Sequence, residues 1–223
     1  MADVYHCIGM EGGMRPRRLL ALLFLAALAI ARLPAQVLEF ESGGLKYKAL
    51  TRGGVTIMFA PLPTRVLGYT ILQVAISNGS PTSWSFKPED FRFEQDGGRK
   101  FQAVSAGSVV KQLLDHASRG DVGRLISAYE AALFGNARVH STNGYEERRQ
   151  DYLAIGSTKL KAASAASAIA LVTTKLMPGQ STDGAVFYPT SGKPLGNGRL
   201  IVNAAAEVFE FPVEVEAPQR AER

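Results

Sequence analysis

The sequence predicts a mainly β domain, a two-sheet antiparallel sandwich, interrupted by a helical insertion over residues 107–173. Before and after the insertion, short segments alternate apolar and polar residues with a period of two, and turns rich in Gly and Asn separate them. Within the insertion, apolar residues recur at the three- and four-residue spacing that is typical of helices. About seven or eight short strands with such turns fit two packed sheets, and we expect about three helices between them.

A leader over residues 1–35 is predicted to precede this domain. The run from Leu19 to Ala31 is uncharged and apolar, and it follows the basic residues Arg15, Arg17 and Arg18. Leu33-Pro34-Ala35 then offers the small residues that a signal peptidase reads. This order indicates a signal peptide over residues 14–35.

Cleavage after Ala35 would release a single domain, residues 36–223, into the periplasm or the medium. The apolar run is shorter than the roughly 18 to 20 residues that span a membrane, so we expect no span after cleavage, with an uncleaved anchor as the alternative. The residues before Met14 include two acids and are unlike the basic start of a leader. Both Met1 and Met14 therefore stay open as the true start.

Cysteine and charge exclude several classes of function. The one cysteine, Cys7, lies in the leader, so we expect neither a disulfide nor thiol chemistry in the domain. Loss of the leader's four arginines and two acids lowers the net charge from +5 to +3. The remaining basic residues are scattered, and Arg148-Arg149 follow Glu146-Glu147, which is typical of a solvated helix face. We therefore expect no nucleic-acid partner.

Strands before the insertion follow from alternation and from turns. Val55, Ile57 and Phe59 alternate with polar or smaller neighbours after a Gly-Gly turn. The segment Tyr69 to Ser77 places Leu72, Val74 and Ile76 on one face and Gln73 and Ser77 on the other, and it ends in the turn Asn78-Gly79-Ser80-Pro81. Phe91 and Phe93 indicate a further strand, for which Phe101 to Val104 is the hairpin partner.

Three helices are predicted in the insertion. The first begins near Gly107 and the second ends at Gly135-Asn136, which is typical of a helix C-terminus. The third is expected to begin at Asn143, with Glu146 completing a capping box, and to reach about Leu171. Ala and Ser dominate its second half, Ala162 to Ala170, so we expect another helix to approach it closely.

Strand patterns return at Ala185 to Tyr188, at Leu200 to Asn203 and at Val208 to Val215. In the last segment Pro212 indicates an edge strand, because proline cannot donate a hydrogen bond to a neighbouring strand.

Three strings resemble exported bacterial immunoglobulin-like β-sandwich domains of unknown function. They are Leu72 to Ser80, with a strand that ends in Asn, the corner Phe86-Lys-Pro-Glu-Asp-Phe91, and the return Leu176-Met-Pro-Gly-Gln-Ser-Thr-Asp-Gly-Ala-Val-Phe187. The resemblance covers part of the chain and leaves out the helices. It implies an immunoglobulin-like sandwich and brings no catalytic residue with it.

No catalytic, metal or nucleotide motif stands out. Asp115-His116 is interpreted as the end of a helix, where a protonated His would interact favourably with the helix dipole. His140 is interpreted as a loop residue. Neither His pairs with a second ligand at helical spacing, so we expect no metal and no cofactor. Glu89-Asp90 fits a turn at Pro88 better than paired catalytic carboxylates.

The sharper site hypothesis concerns Trp84 and Phe86, which would share one face and form an exposed platform for a sugar or a peptide. The alternative is that Trp84 caps the core, because Trp is highly buried on average. We expect an exported, non-enzymatic binding or assembly module of the cell envelope, whose partner is a protein or another envelope component met by the helical insertion. Two alternatives stay open: an envelope hydrolase with an unrecognised site, and a carrier of a small ligand in a cavity between insertion and sandwich.

Overall fold

The computed structural model describes residues 36–135, 144–205 and 207–214. Within them, residues from Gln36 onward form one compact unit with eleven strands, four α-helices and one 3₁₀ turn. The strands are β1 (Leu38–Ser42), β2 (Leu45–Arg52), β3 (Val55–Val66), β4 (Tyr69–Asn78), β5 (Trp84–Phe86), β6 (Phe91–Gln95), β7 (Lys100–Gln102), β8 (Thr174–Leu176), β9 (Ser181–Pro189), β10 (Gly198–Ala204) and β11 (Glu207–Val213). The helices are α1 (Ala106–His116), α2 (Arg119–Gly135), α3 (Tyr145–Leu153) and α4 (Thr158–Ile169), and the 3₁₀ turn is Pro88–Asp90. The fold is therefore mainly β with a helical segment, as the sequence predicts.

The strands form antiparallel sheets. Five strands pair in the order β1-β2-β3-β4-β9, four in the order β11-β10-β6-β7, and β5 pairs with β8. The hairpin β1–β2 turns at Gly43 and Gly44, which both have positive φ, and it was missed by the sequence prediction. The β6–β7 hairpin and the edge position of β11 were both predicted correctly.

The five-stranded sheet is covered on both faces. Phe59 on β3 meets Phe211 on β11 edge to face at 5.2 Å, so one face packs on the four-stranded sheet. On the other face, Ile71 and Phe187 belong to an apolar cluster with the helices. Gln73 was predicted on an outward, polar face of β4, but it is only 1% exposed because the helices cover that face.

The helical segment differs from the prediction in its last part. α1 begins after Ser105, whose side chain accepts from the Ser108 N–H, and α2 ends at Gly135, as expected. The single third helix predicted from Asn143 to Leu171 is instead two helices, α3 and α4. Gly156 is followed by a new N-cap at Ser157, whose side chain accepts from the Leu160 N–H. Helix α4 begins at this cap.

Helix α4 packs against the other three helices through small residues, as its Ala/Ser composition predicts. Ala162, Ala163, Ala165, Ala166 and Ala168 are all at most 2% exposed. The predicted solvated face at Arg148-Arg149 is wrong in part, since Arg148 donates to the Ala168 carbonyl at 2.8 Å and Arg149 donates to Glu130. Both arginines therefore join helices to one another.

None of the helices in the described part of the chain combines the length and the apolar character that crossing a bilayer requires. The leader, the Asn136 and Asn143 helix ends, His140 and Val215 lie outside the described residues.

Candidate functional site

A pocket of about 720 Å³ opens between the two sheets, on the side where β2 approaches β11. Its described lining residues come from β1, β2, β3, β4, β6, β11 and the loop before β10. Apart from prolines, the apolar side chains among them are Phe40, Phe59, Leu62, Leu72, Phe93, Leu195 and Val213. The volume lies within the range of about 300 to 1,000 Å³ that is usual for small-ligand sites.

Four prolines make the pocket walls stiff and poor in hydrogen-bond donors. Pro61 and Pro63 lie on β3 beyond the last residue pair with β2, so their missing N–H groups interrupt no ladder there. Pro194 and Pro212 line the pocket from the loop and from β11. Because proline fixes φ and lacks an N–H, these walls favour an apolar occupant and need little ordering when it binds.

Two side chains hold the loop wall at Pro194 and Leu195. Thr70 on β4 donates to the Lys193 carbonyl at 2.9 Å, and its hydroxyl also lies 2.9 Å from that of Thr190. Gln95 at the end of β6 donates to the Leu195 carbonyl. The loop is thus tied to both sheets by side-chain hydrogen bonds.

Charged side chains surround the mouth of the pocket. Lys48 forms an ion pair with Glu39, and Glu41 stands opposite Lys46 in the β1–β2 register. Arg65 on β3 and Glu214 after β11 complete the charged lining. The described lining has no His, Ser or Cys.

A buried polar network lies on the other face of the five-stranded sheet, under the helices. Tyr47 Oη lies 2.9 Å from Gln73 Oε1 and 3.3 Å from the Ala132 carbonyl, and Tyr129 donates to Asp183. The Tyr47–Ala132 and Tyr129–Asp183 contacts join the sheet to helix α2, and the Tyr47–Gln73 contact joins β2 to β4. Sequence reasoning missed the two contacts with α2 because their partners are 85 and 54 residues apart. These contacts anchor the helices on the sheet.

The exposed platform predicted for Trp84 and Phe86 is not what the structure shows. Trp84 is 9% and Phe86 1% exposed, and the two rings stack on each other at 6.2 Å. Trp84 Nε1 donates to Ser80 Oγ at 2.9 Å. Burial of both rings agrees with the alternative, in which Trp84 caps the core, and the rings offer no face to a ligand.

Asp115 and His116 lie exposed at the end of α1, far from the pocket lining. The Asp115 carbonyl accepts from Lys159 Nζ at 2.7 Å, and this contact joins α1 to α4. Among the described residues, no group of three His, Cys, Asp or Glu side chains is placed to hold a metal ion.

Asp90 has the turn role that the sequence predicts. It accepts from the Lys87 N–H at 2.9 Å within the corner at Pro88. Burial raises the pKa of the Asp90 carboxyl, and the Lys87 N–H opposes that rise.

Two of the three strings that suggest an immunoglobulin-like domain, Leu72 to Ser80 and Leu176 to Phe187, meet at one buried side chain, Asn78. Its Nδ2 donates to the Thr82 and Leu176 carbonyls at 2.8 and 3.1 Å, and its Oδ1 accepts from Ser80 N and Oγ. The Gly179 N–H donates to the Asn78 carbonyl. These residues therefore hold the end of β4 to the β8–β9 return, which is a structural role.

Comparisons with protein-family models, with curated proteins and with solved structures gave no match. The likeness to exported immunoglobulin-like domains therefore stays a prediction, and the pocket must be interpreted from its own chemistry.

Proposed function

We propose that this chain is an exported, non-catalytic binding module of the cell envelope with an immunoglobulin-like sandwich fold, and that it holds a small amphipathic molecule in the pocket between its sheets. The pocket carries this proposal: its interior is lined largely by apolar side chains and its mouth is rimmed with charge. Burial of apolar ligand surface is favourable by roughly 25 cal/mol per Å² before the costs of association. Export rests on the leader pattern.

An added peptide strand suits this pocket less well than a small molecule. The Val208 carbonyl at the outer edge of β11 is taken by Arg52, which donates to it at 2.8 Å. Pro212, further along that edge, has no N–H to offer. Strand addition depends on a row of free backbone groups, and β11 lacks that row beside the pocket.

The test is calorimetric titration of the purified protein with dodecanol, a neutral probe with an apolar chain. Val213 lines the pocket and is only half-buried, so V213W should fill the space without disturbing the core and should weaken binding at least tenfold. The matched control is V208W. Val208 is 38% exposed, lies on the opposite face of the same strand and does not line the pocket, so binding should be unchanged. Absence of dodecanol binding by the wild type, or equal binding by both variants, would refute the proposal.

A further inference from the structure

Some charged side chains at the pocket mouth have an opposite charge beside them, and others do not. On β1 and β2, Glu39 is paired with Lys48, and Glu41 faces Lys46 across the strands. Arg65 on the neighbouring strand β3 is exposed and has no ion pair or side-chain hydrogen bond among the described residues. Its charge is therefore available to a ligand that enters the pocket.

A second cation lies beside the same point of the rim. Arg65 is directly opposite Thr70 in the β3–β4 register, so both side chains leave the sheet on the same face. The Thr70 hydroxyl binds the Lys193 carbonyl at 2.9 Å, which fixes the backbone of Lys193 next to it. The Lys193 side chain is exposed and likewise has no ion pair within the described ranges. Arg65 and Thr70 line the pocket, and Lys193, which does not line it, is held at its rim by the hydrogen bond from Thr70 to its carbonyl.

Among the described residues, Glu214 is a lining acid that has neither an ion pair nor a cation opposite it in a strand register, and it follows Val213 on the wall formed by the other sheet. The two walls of the mouth therefore differ in sign, and the basic wall is the one held by side-chain hydrogen bonds. Arg suits carboxylate and phosphate groups in particular, because its planar guanidinium donates two parallel hydrogen bonds.

Resting on the proposed function, we infer that the ligand is an anionic amphiphile whose carboxylate or phosphate head group sits against Arg65 and Lys193 while its apolar chain lies in the pocket. The head group stays close to water at this rim, so the cations contribute selectivity, and the buried chain contributes most of the affinity.

The experiment compares probes that share a dodecyl chain, each below its micelle-forming concentration: dodecanol, dodecanoate, dodecyl phosphate and dodecyltrimethylammonium. At low salt the wild type should bind an anionic probe at least about fivefold more tightly than dodecanol, as two exposed ion pairs allow. Whichever of dodecanoate and dodecyl phosphate binds more tightly identifies the head group as a carboxylate or a phosphate. The ratio of the affinities for the anionic probe and for dodecanol should fall towards one as the salt concentration rises from about 0.01 M to about 1 M. Over this range the screening length falls from about 30 to about 3 Å.

The double variant R65Q/K193Q should lose the preference for anions and keep the wild-type affinity for dodecanol. The matched control is K175Q, which removes an exposed cation on β8 that does not line the pocket, so it should leave that preference in place. Equal binding of dodecanol and both anions by the wild type, survival of the preference in R65Q/K193Q, or tighter binding of dodecyltrimethylammonium would overturn the head-group inference while the pocket itself stands. Failure of the wild type to bind dodecanol would instead refute the proposed function.

Discussion

Gly184 shows how a single residue lets the chain that leaves helix α4 pass close beside the five-stranded sheet. It lies in β9, opposite Val74 of β4, where the chain leaving helix α4 passes beside the strand. A Cβ added at Gly184 would lie 2.6 Å from the Leu171 Cα, which is backbone and cannot swing aside. The close approach also allows the Leu171 N–H to donate to the Ala185 carbonyl at 2.9 Å.

We expect G184A to lower the free energy of unfolding by about 1 to 3 kcal/mol, because the added methyl group forces the two backbones apart. Urea unfolding can be followed by the fluorescence of Trp84, the single tryptophan of the chain. G107A is the matched control: Gly107 lies in the first turn of α1 with no atom within 4 Å of an added Cβ, so the change should be neutral or stabilising by up to about 1 kcal/mol. A loss of stability in G107A as large as that in G184A would contradict the steric argument.

At the scale of elements, strands with a clean alternation were predictable, and so were helix ends with a strong cap. β3, β4 and β6 follow the period of two, and Gly135 ends α2 as expected. β1 and β2 could have been found, since Phe40, Tyr47 and Ala49 alternate with charged residues around Gly43-Gly44. The break between α3 and α4 also has a local signal, Gly156-Ser157, which the apolar and Ala-rich run obscured.

The pocket itself has no local sequence signal. Phe59, Leu72 and Phe93 come from three strands and look like ordinary core residues, because only the angle between two sheets leaves space among them. Arg65 and Lys193 are likewise related through Thr70, which lies opposite Arg65 and binds the Lys193 carbonyl. Long-range pairings of this kind are set by the whole fold, so a residue-by-residue pattern does not contain them.

For the helical layer we expect A166L in α4 to lower the free energy of unfolding by about 1 to 3 kcal/mol. Ala166 is 0% exposed in the helix that packs against α1, α2 and α3, so a larger side chain would separate the helices. S167L adds the same side chain at the next position, which is exposed, and should change stability by no more than about 0.5 kcal/mol. Chemical denaturation of both variants measures these free energies. Equal stability of A166L and the wild type would show that the helix interface can accommodate the larger side chain.

At the scale of the whole molecule, the helices serve as the second cover of the five-stranded sheet. The sequence alone suggests that residues 107–173 could be exchanged for a short Gly/Ser linker while a folded sandwich remains. The structure argues against this, because the helices bury Ile71 and Phe187 to 1% exposure or less. Val104 and Ala170, at the two ends of the helical segment, also bridge to β9.

We therefore expect the shortened protein to lose cooperative unfolding and to aggregate, because its central sheet would present an apolar face to water. The measurements are the urea transition followed by Trp84 and the size distribution in solution. A second shortened protein with I71T and F187T should be more soluble, since the exposed face is then partly polar and threonine suits strands.

A sharp, two-state transition in the first shortened protein would mean that the two sheets fold without the helices, and the helical layer would then be free to serve as a separate surface. The pocket lies on the opposite face of the same sheet. Loss of dodecanol binding together with loss of cooperative unfolding would therefore show that the helices stabilise the sheet that forms the pocket wall.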